Sequence, residues 1–292
     1  MIILLVGATG LLGRKLMTTY SKKYTLIGTA HKTSNLYPNL IPLDISHNKQ
    51  VTHIFKRYKP DVVIHAASIG DVDYCEKYQK RAWEVNVIGT ENLLKEAAEC
   101  KAKFIFLSTN AVFSGKKAPY SENDRVHPLN FYGKTKVKAE KIVHSYKNHS
   151  IIFRLNTMYG WNDPHERFNP AAWIIKRLSQ RQTTSVVTDV FNNHLWVGQA
   201  ADCVWMGIKN KLYGELFHIA GGSCISRFEF CQIIADVFKL DKKRIVPVTS
   251  NYFSTISPRA KNTCFDTQKM ENVLNIKPMD IYDGLTRMKN DR

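Results

Sequence analysis

The chain has 292 residues, 44% of them hydrophobic, which is enough for one large α/β unit or for two lobes with a sizeable core. Its opening apolar run, Ile2–Val6, is far too short to span a bilayer, and no cleavage pattern follows it, so a cytoplasmic protein with no membrane partner is the default expectation. The formal net charge is +17 and the isoelectric point about 9.6. The basic residues are scattered in short groups (Lys22-Lys23, Lys56-Arg57, Lys116-Lys117, 134–141 and Lys242–Arg244), with no long arm or tail. That pattern suits a solvated surface and a cleft that concentrates small anions better than a nucleic-acid interface. Six cysteines, at 75, 100, 203, 224, 231 and 264, form neither a Cys-x-x-Cys nor a zinc-like His/Cys spacing, so reduced, mostly packed thiols and no metal site are expected.

Ile2 to Val6 read as a strand buried on both faces. Gly7-Ala8-Thr9-Gly10-Leu11-Leu12-Gly13 follows, with glycines spaced G-x-x-G-x-x-G, and then Arg14 and a helical stretch. Glycines let a backbone turn tightly and approach a pyrophosphate, and the N–H groups of the next helix can receive it. A second strand is predicted over 24–30. Sites for NAD usually place a carboxylate at its end to hold the ribose 2′-hydroxyl. Here Thr29, Ala30, His31 and Lys32 stand there, with Arg14 nearby. Basic groups suit a 2′-phosphate, so NADP is expected.

A short strand over 40–43 ends in Asp44-Ile45, a pair that could bracket an adenine ring. A basic helix over 51–58 precedes a strand at Val62–His65, which opens into Ala66-Ala67-Ser68, small residues that let a cofactor lie close. His65 reads as a packed strand-end residue. One long helix is predicted over 79–100, carrying Asn86, then a strand over 104–107 ending in Ser108-Thr109-Asn110, a loop over 114–130, and a helix beginning near Tyr132. The next strand is 151–155. Alternation of strand and helix implies a doubly wound parallel sheet, a Rossmann α/β fold, over residues 1–160. Ligands in such sheets bind beyond the carboxyl ends of the strands, where the glycine turn, Ala66-Ala67-Ser68, Ser108-Thr109 and the Tyr132 helix all fall. After Tyr159-Gly160 the alternation weakens. Helices near 170–180, 198–209, Arg227–Phe238 and 266–274, with strands near 185–188 and Leu216–Ile219, suggest a smaller substrate lobe over 161–292, partly interleaved with the first.

Tyr132 stands four residues before Lys136, so on a helix the two share a face. A free tyrosine has a pKa of about 10. A neighbouring cation lowers it, which equips the phenol to exchange a proton with a substrate oxygen.

With Thr109, this pair resembles the Ser/Thr-Tyr-Lys triad of extended short-chain dehydrogenases/reductases. Within them the similarity is greatest to the dTDP-4-dehydrorhamnose reductase family. Gly7 to Gly13, His65-Ala66-Ala67, Asn86-Val87 with Gly89-Thr90, Leu107-Ser108-Thr109, Val112-Phe113, Pro119-Tyr120 with Glu122, the run Pro128-Leu129-Asn130-Phe131-Tyr132-Gly133-Lys134-Thr135-Lys136, and Arg259-Ala260-Lys261-Asn262 carry it. The resemblance implies that NADPH delivers hydride to C4 of a 4-keto-6-deoxy sugar on a nucleoside diphosphate. Tyr132 would protonate the alkoxide, Lys136 would lower its pKa and hold the nicotinamide ribose, and Thr109 would bond the substrate oxygen. A homodimer is compatible with the resemblance. Two stretches depart from the pattern, both on the substrate side. Asn110-Ala111 replaces the usual Asp-Tyr after the threonine, and Asn192-Asn193-His194-Leu195 stands where Gly-x-Pro-Thr is usual.

Two other functions compete. The non-catalytic beta subunit of methionine adenosyltransferase is similar to the same family and shares the glycine turn and the Tyr-Gly-Lys-Thr-Lys motif, so an NADP-binding regulatory subunit is an alternative. A sugar-nucleotide epimerase, or a combined epimerase and reductase, is another. An epimerase that recycles NAD would favour the acidic residue that is absent after the second strand, and a dehydratase would favour an Asp-Glu pair in place of Asn110-Ala111.

Overall fold

The computed structural model describes residues 1–31, 38–163 and 168–291. Strand β1 (Ile2–Val6) turns Ile3 and Leu5 into one apolar cluster and Leu4 and Val6 into a second on the opposite face. That two-sided burial explains a continuous apolar run where a half-exposed strand would alternate. Strands β2 (Thr25–Ala30) and β3 (Ile41–Pro42) flank it on one side, and β4 (Val62–His65), β5 (Lys103–Thr109) and β6 (Ser150–Leu155) on the other. Between them run α1 (Leu11–Tyr20), α2 (Asn48–Tyr58), α3 (Val72–Lys77), α4 (Gln79–Trp83), α5 (Gly89–Glu99) and α6 (Phe131–His144). The chain continues through β7 (Met158–Tyr159), α7 (Pro170–Ser179), β8 (Thr184–Val187), β9 (Phe191–Asn193), β10 (Leu195–Trp196), α8 (Val197–Lys209), β11 (Leu216–Ile219), β12 (Cys224–Ser226), α9 (Arg227–Phe238), β13 (Ile245–Val248), α10 (Gln268–Leu274) and α11 (Ile281–Asn290).

The main sheet has seven strands in the order β11-β6-β5-β4-β1-β2-β3, with every neighbouring pair parallel. This is the doubly wound Rossmann architecture expected from the alternation. The chain winds outward from β1 to β2 and β3, then returns to the other side of β1 at β4, so the order reverses between β1 and β4. A crevice forms at the carboxyl ends of two strands whose connections depart in opposite directions. Two-stranded pairings β7/β10, β9/β12 and β8/β13 lie beyond the main sheet.

Four features differ from the sequence reading. The helix over 79–100 is not uniform: Glu84–Ile88 forms a π turn between α4 and α5. Thr90 Oγ1 donates to the Asn86 carbonyl at 2.8 Å, which competes with the regular ladder there. The strand Leu216–Ile219 pairs with β6 and becomes the edge of the main sheet. Helix α11 was not anticipated, although Ile281, Leu285 and Met288 are buried at helical spacing. Finally, Cys224 and Cys264 are joined in a disulfide, while Cys75, Cys100, Cys203 and Cys231 are free thiols. No described helix is long and apolar enough to cross a membrane.

Candidate active site

A cleft of about 1370 Å³ opens at the carboxyl edge of the sheet. That exceeds the roughly 300–1,000 Å³ of a site for one drug-sized molecule, leaving room for two ligands side by side. Gly7, Gly10, Leu11, Leu12 and Gly13 line one end. Gly7 has φ +91°, and a Cβ there would lie 2.6 Å from the Ala67 nitrogen; a Cβ on Gly13 would lie 2.2 Å from the Gly7 carbonyl oxygen. The glycines therefore let the β1 turn, the start of α1 and the strand end at Ala66-Ala67 close on one another. Gly10 caps α1 without a side-chain hydrogen bond, so the first amides of that helix retain their capacity for an anion. Ala66 and Ser68 also line the cleft, and Thr9 belongs to the same turn without lining it. The arrangement fits the pyrophosphate of a dinucleotide.

The residues expected at the adenosine end are more dispersed. His31 is exposed, with Nε2 3.4 Å from Asp44 Oδ2. Lys32 lies outside the described residues. Asp44 accepts from Ser46 Oγ at 2.6 Å and from Arg81 Nη2 at 2.9 Å. Partial burial opposes ionisation of Asp44, but hydrogen bonds from Ser46 and the Arg81 guanidinium outweigh it and hold the carboxyl well below its usual range. The chain thus brings a carboxylate near the end of β2 from a different strand, already engaged by a guanidinium. Ile45 is buried under Gly89, where a Cβ would meet its Cγ1 at 2.5 Å. Arg14 reaches toward the segment after β7: Nη1 donates to Asp163 Oδ1 at 2.7 Å and Nη2 to the Trp161 carbonyl at 3.0 Å. Asn86, in the π turn, braces the loop after β4. Its Oδ1 accepts from Ile69 N at 2.8 Å, and its Nδ2 donates to Ile69 O at 3.1 Å and to Thr135 Oγ1 at 3.1 Å.

Thr109 ends β5, and Tyr132 stands in the first turn of α6. Asn130 caps that helix, its Oδ1 accepting from Gly133 N at 2.9 Å, while its Nδ2 donates to the Pro258 carbonyl at 3.0 Å. Desolvation pushes the Tyr132 phenol up to about 12, against the lowering effect of hydrogen bonds with the Thr109 and Ser68 side chains. Thr109, Ser68 and Tyr132 therefore converge on one spot in the cleft. Lys136 points elsewhere. Its Nζ donates to the Leu107 carbonyl at 2.6 Å and lies 4.0 Å from the centre of the Phe106 ring. Burial brings its pKa down to about 7, opposed by the charge of Glu140 one helical turn on. Glu140 is itself held by Arg154 Nη2 at 2.8 Å and by Ser108 Oγ at 2.5 Å. His65 is buried, its Nε2 2.9 Å from Thr90 Oγ1, as befits a packed strand-end residue.

Among the wall residues from β6 onward, the sequence reading had named Asn192, in a stretch that departs from the usual pattern, but had not pointed to Asn156, Thr157, Arg227 or Thr263. Asn156 and Thr157 follow β6 at the same sheet edge, and Asn192, Arg227 and Thr263 line the cleft with them, Asn156 Nδ2 donating to the Thr263 carbonyl at 2.9 Å. Asn156 and Thr157 were within reach of the carboxyl-edge argument; the others depend on how the chain after residue 160 folds. Arg259 Nη2 pairs with Asp73 Oδ2 at 2.7 Å, and Ser257 N donates to Asp73 Oδ1 at 3.2 Å, tying the segment before Ala260 to α3. Among the described residues no group of three or more His, Cys, Asp or Glu is placed to hold a metal ion.

Known proteins were compared with this chain. Residues 1–292 match the family described as RmlD substrate binding domain. A dTDP-4-dehydrorhamnose reductase of Aggregatibacter actinomycetemcomitans is 28% identical, the match spanning 98% of each chain. The methionine adenosyltransferase 2 subunit beta of Xenopus laevis is 29% identical over 92% of this chain and 81% of that protein. Among solved structures, a dTDP-4-dehydrorhamnose reductase from Bacillus anthracis in complex with NADP superposes with a TM-score of 0.90 at 26% identity, covering 100% of this chain and 99% of that one.

Proposed function

The chain belongs to the RmlD substrate binding domain family, and from that premise we propose that it is an NADPH-dependent reductase of a 4-keto-6-deoxy sugar carried on a nucleoside diphosphate. The observation that carries this reading is the convergence of the Thr109 and Tyr132 hydroxyls in a cleft whose other end is the glycine turn. The turn and the first amides of α1 would hold the pyrophosphate of NADPH, and His31 and Arg81 supply basic groups toward the adenosine 2′-phosphate. NADPH, when bound, supplies the hydride.

The protein's own part is proton delivery and charge stabilisation. Tyr132, with its pKa raised to about 12, stays protonated at neutral pH and is ready to donate to the alkoxide that forms. Thr109 hydrogen-bonds the ketone oxygen and favours the developing charge. Lys136 stands one turn from Tyr132 but gives its ammonium to the Leu107 carbonyl, so it does not lower the Tyr132 pKa as the resemblance implied. The scattered positive charge of the chain favours both polyanionic ligands.

The test is NADPH oxidation with dTDP- and UDP-linked 4-keto-6-deoxyglucose, with and without a 3,5-epimerase, beside Tyr132→Phe. We expect turnover that the variant lowers about 10²–10⁴-fold, with NADPH affinity unchanged. Turnover unaffected by the variant would overturn the role of Tyr132, and failure to bind NADPH would overturn the reading altogether. A second reading, an NADP-binding subunit of another enzyme, draws on the similarity to methionine adenosyltransferase 2 subunit beta. Tight NADPH binding with no turnover of any keto sugar in that panel, together with a stable complex with an adenosyltransferase, would favour it.

A further inference from the structure

The start of α6, which carries Tyr132, is held by two kinds of hydrogen bond. Within the cap, Gly133 N donates to Asn130 Oδ1 at 2.9 Å and Lys134 N to the Asn130 carbonyl at 3.0 Å. These ties are local and would travel with the helix if it moved. The others reach outside it. Phe131 N, the amide next to Tyr132, donates to Glu76 Oε2 at 2.9 Å, and Asn130 Nδ2 donates to the Pro258 carbonyl at 3.0 Å.

Both outside ties lead to one segment. The same Glu76 Oε2 accepts from Ser257 Oγ at 3.3 Å, and Ser257 is fully buried. Asp73, one turn before Glu76 on α3, accepts from Ser257 N at 3.2 Å and from Arg259 Nη2 at 2.7 Å. Pro258 and Arg259 line the cleft with Tyr132, whereas Glu76 stands behind that wall and does not line it. The first amides of a helix have no partner inside it, so one of them can take its position from another element. Here a single carboxylate oxygen joins such an amide, beside Tyr132, to the buried hydroxyl of a wall segment far along the chain.

We propose that Glu76 is a positioning residue for the proton donor, setting the Tyr132 phenol against the cleft wall at Ser257–Arg259 without itself lining the cleft. This rests on the reductase reading above. Glu76 takes an amide proton from the turn that carries Tyr132 and a hydroxyl proton from the wall, so neither shifts without straining a bond to the other. Without the carboxylate, Phe131 N loses its partner, and α6 keeps only its local cap and the Asn130 bond to Pro258. The phenol then leaves the spot where it meets Thr109 and Ser68. Proton transfer needs hydrogen-bond reach, so a displacement of the order of 1 Å lowers the rate of the chemical step. The glycine turn at the other end of the cleft takes no part in these bonds, so NADPH affinity is independent of them. Asp73 supplies a contrast: it holds the same wall segment and, among the described residues, makes no hydrogen bond to α6.

The experiment compares the wild type with Glu76→Ala, Glu76→Gln and Asp73→Ala. It reads kcat and KM with the dTDP- and UDP-linked keto sugars, the NADPH dissociation constant, and the NMR resonance of the Tyr132 phenol carbon in chain labelled with [13Cζ]tyrosine, assigned through Tyr132→Phe. Glu76→Ala should lower kcat about tenfold or more and move the Tyr132 resonance, with NADPH affinity unchanged. Glu76→Gln, which offers an amide oxygen in the same place, should restore both. Asp73→Ala, which loosens the wall but not α6, should leave the resonance where it is. Should Glu76→Ala not fold, Glu76→Asp, whose carboxylate falls one methylene short, carries the same expectation at a smaller size. An unmoved resonance in the Glu76 variants overturns the proposal whatever happens to kcat. So does a loss of kcat matched by a loss of NADPH affinity that Glu76→Gln fails to restore, the mark of a merely structural contact. If the wild type turns nothing over but the resonance moves and Glu76→Gln restores it, the positioning role stands and the reductase reading falls. Turnover with an unmoved resonance gives the reverse, and neither turnover nor movement overturns both.

Discussion

Lys136 and Tyr132 share a face of α6, yet their polar ends part company: the phenol meets Thr109 and Ser68, the ammonium the Leu107 carbonyl. Helical spacing made the shared face legible in the sequence. It could not reveal the direction of a four-carbon side chain, which is set by the Phe106 ring and the carbonyl behind it. The depressed pKa of Lys136 makes a stability prediction. Between about 7 in the folded chain and about 10.5 in the unfolded one, the unfolded state binds the extra proton, so this group makes stability rise with pH across that window. Below pH 7 the buried charge is fully present and its cost is greatest. Lys136→Met should abolish this rise and stabilise the chain near neutrality, as read from urea midpoints between pH 6.5 and 10. An unchanged slope would show that Lys136 is not the group responsible. Arg14 teaches a related lesson. Its position after the glycine turn suggested a phosphate ligand, but its long side chain spans to Asp163 in a segment that no local pattern connects to it.

At the scale of elements, the start of α6 is fixed by how closely it approaches the 3₁₀ turn Asn110–Val112. A Cβ on Gly133 would come 2.3 Å from the Ala111 carbonyl oxygen and 2.8 Å from Pro128 Cβ. Gly133→Ala should therefore push Tyr132 away from Thr109 and lower kcat about 10²-fold, since a displacement of the order of 1 Å is enough for that. NADPH affinity, governed by the β1 turn, should change little. A variant with normal kcat would show that the helix start can shift without disturbing the two hydroxyls. The strands of the main sheet were readable because two-sided burial leaves continuous apolar runs, and the site edge was readable because strand ends in a parallel sheet collect at one side. The π turn was not. Its cause is a set of hydrogen bonds from Asn86 and Thr90 to Ile69, Thr135 and the helix backbone, and the partners at 69 and 135 are distant in sequence. Short strands such as β9 and β12 escaped notice because two or three residues carry no periodicity, and their pairing depends on a partner elsewhere.

Over the whole molecule, one apolar cluster runs from Ile3 and Leu5 on the sheet through Ile174, Val186 and Phe230 to Leu285 and Met288 in the last helix. Residues of the sheet and of the chain after Gly160 thus share a core, although the sequence alternation weakens there. The disulfide adds a covalent tie, joining β12 to the segment that carries Thr263 across a separation of 40 residues. Spacing alone could not announce it, because neither cysteine has a near neighbour of its kind. Closing a loop of that length restricts the unfolded chain by about 3–4 kcal/mol. Reduction by dithiothreitol should lower the denaturation midpoint accordingly, and Cys224→Ser should show the lower midpoint with no further response to reductant; a midpoint indifferent to reductant would rule the staple out as a source of stability. The edge strand β11 matters in another way. Because it comes from the far part of the chain and completes the parallel sheet beside β6, the chain after residue 160 is not a module that could be exchanged at a junction there. A graft from a relative with another sugar preference would have to bring its own edge strand, or thread the host's β11 back through the donor segment. Changes of specificity in such a chain are therefore more readily reached by replacing single wall residues than by shuffling halves.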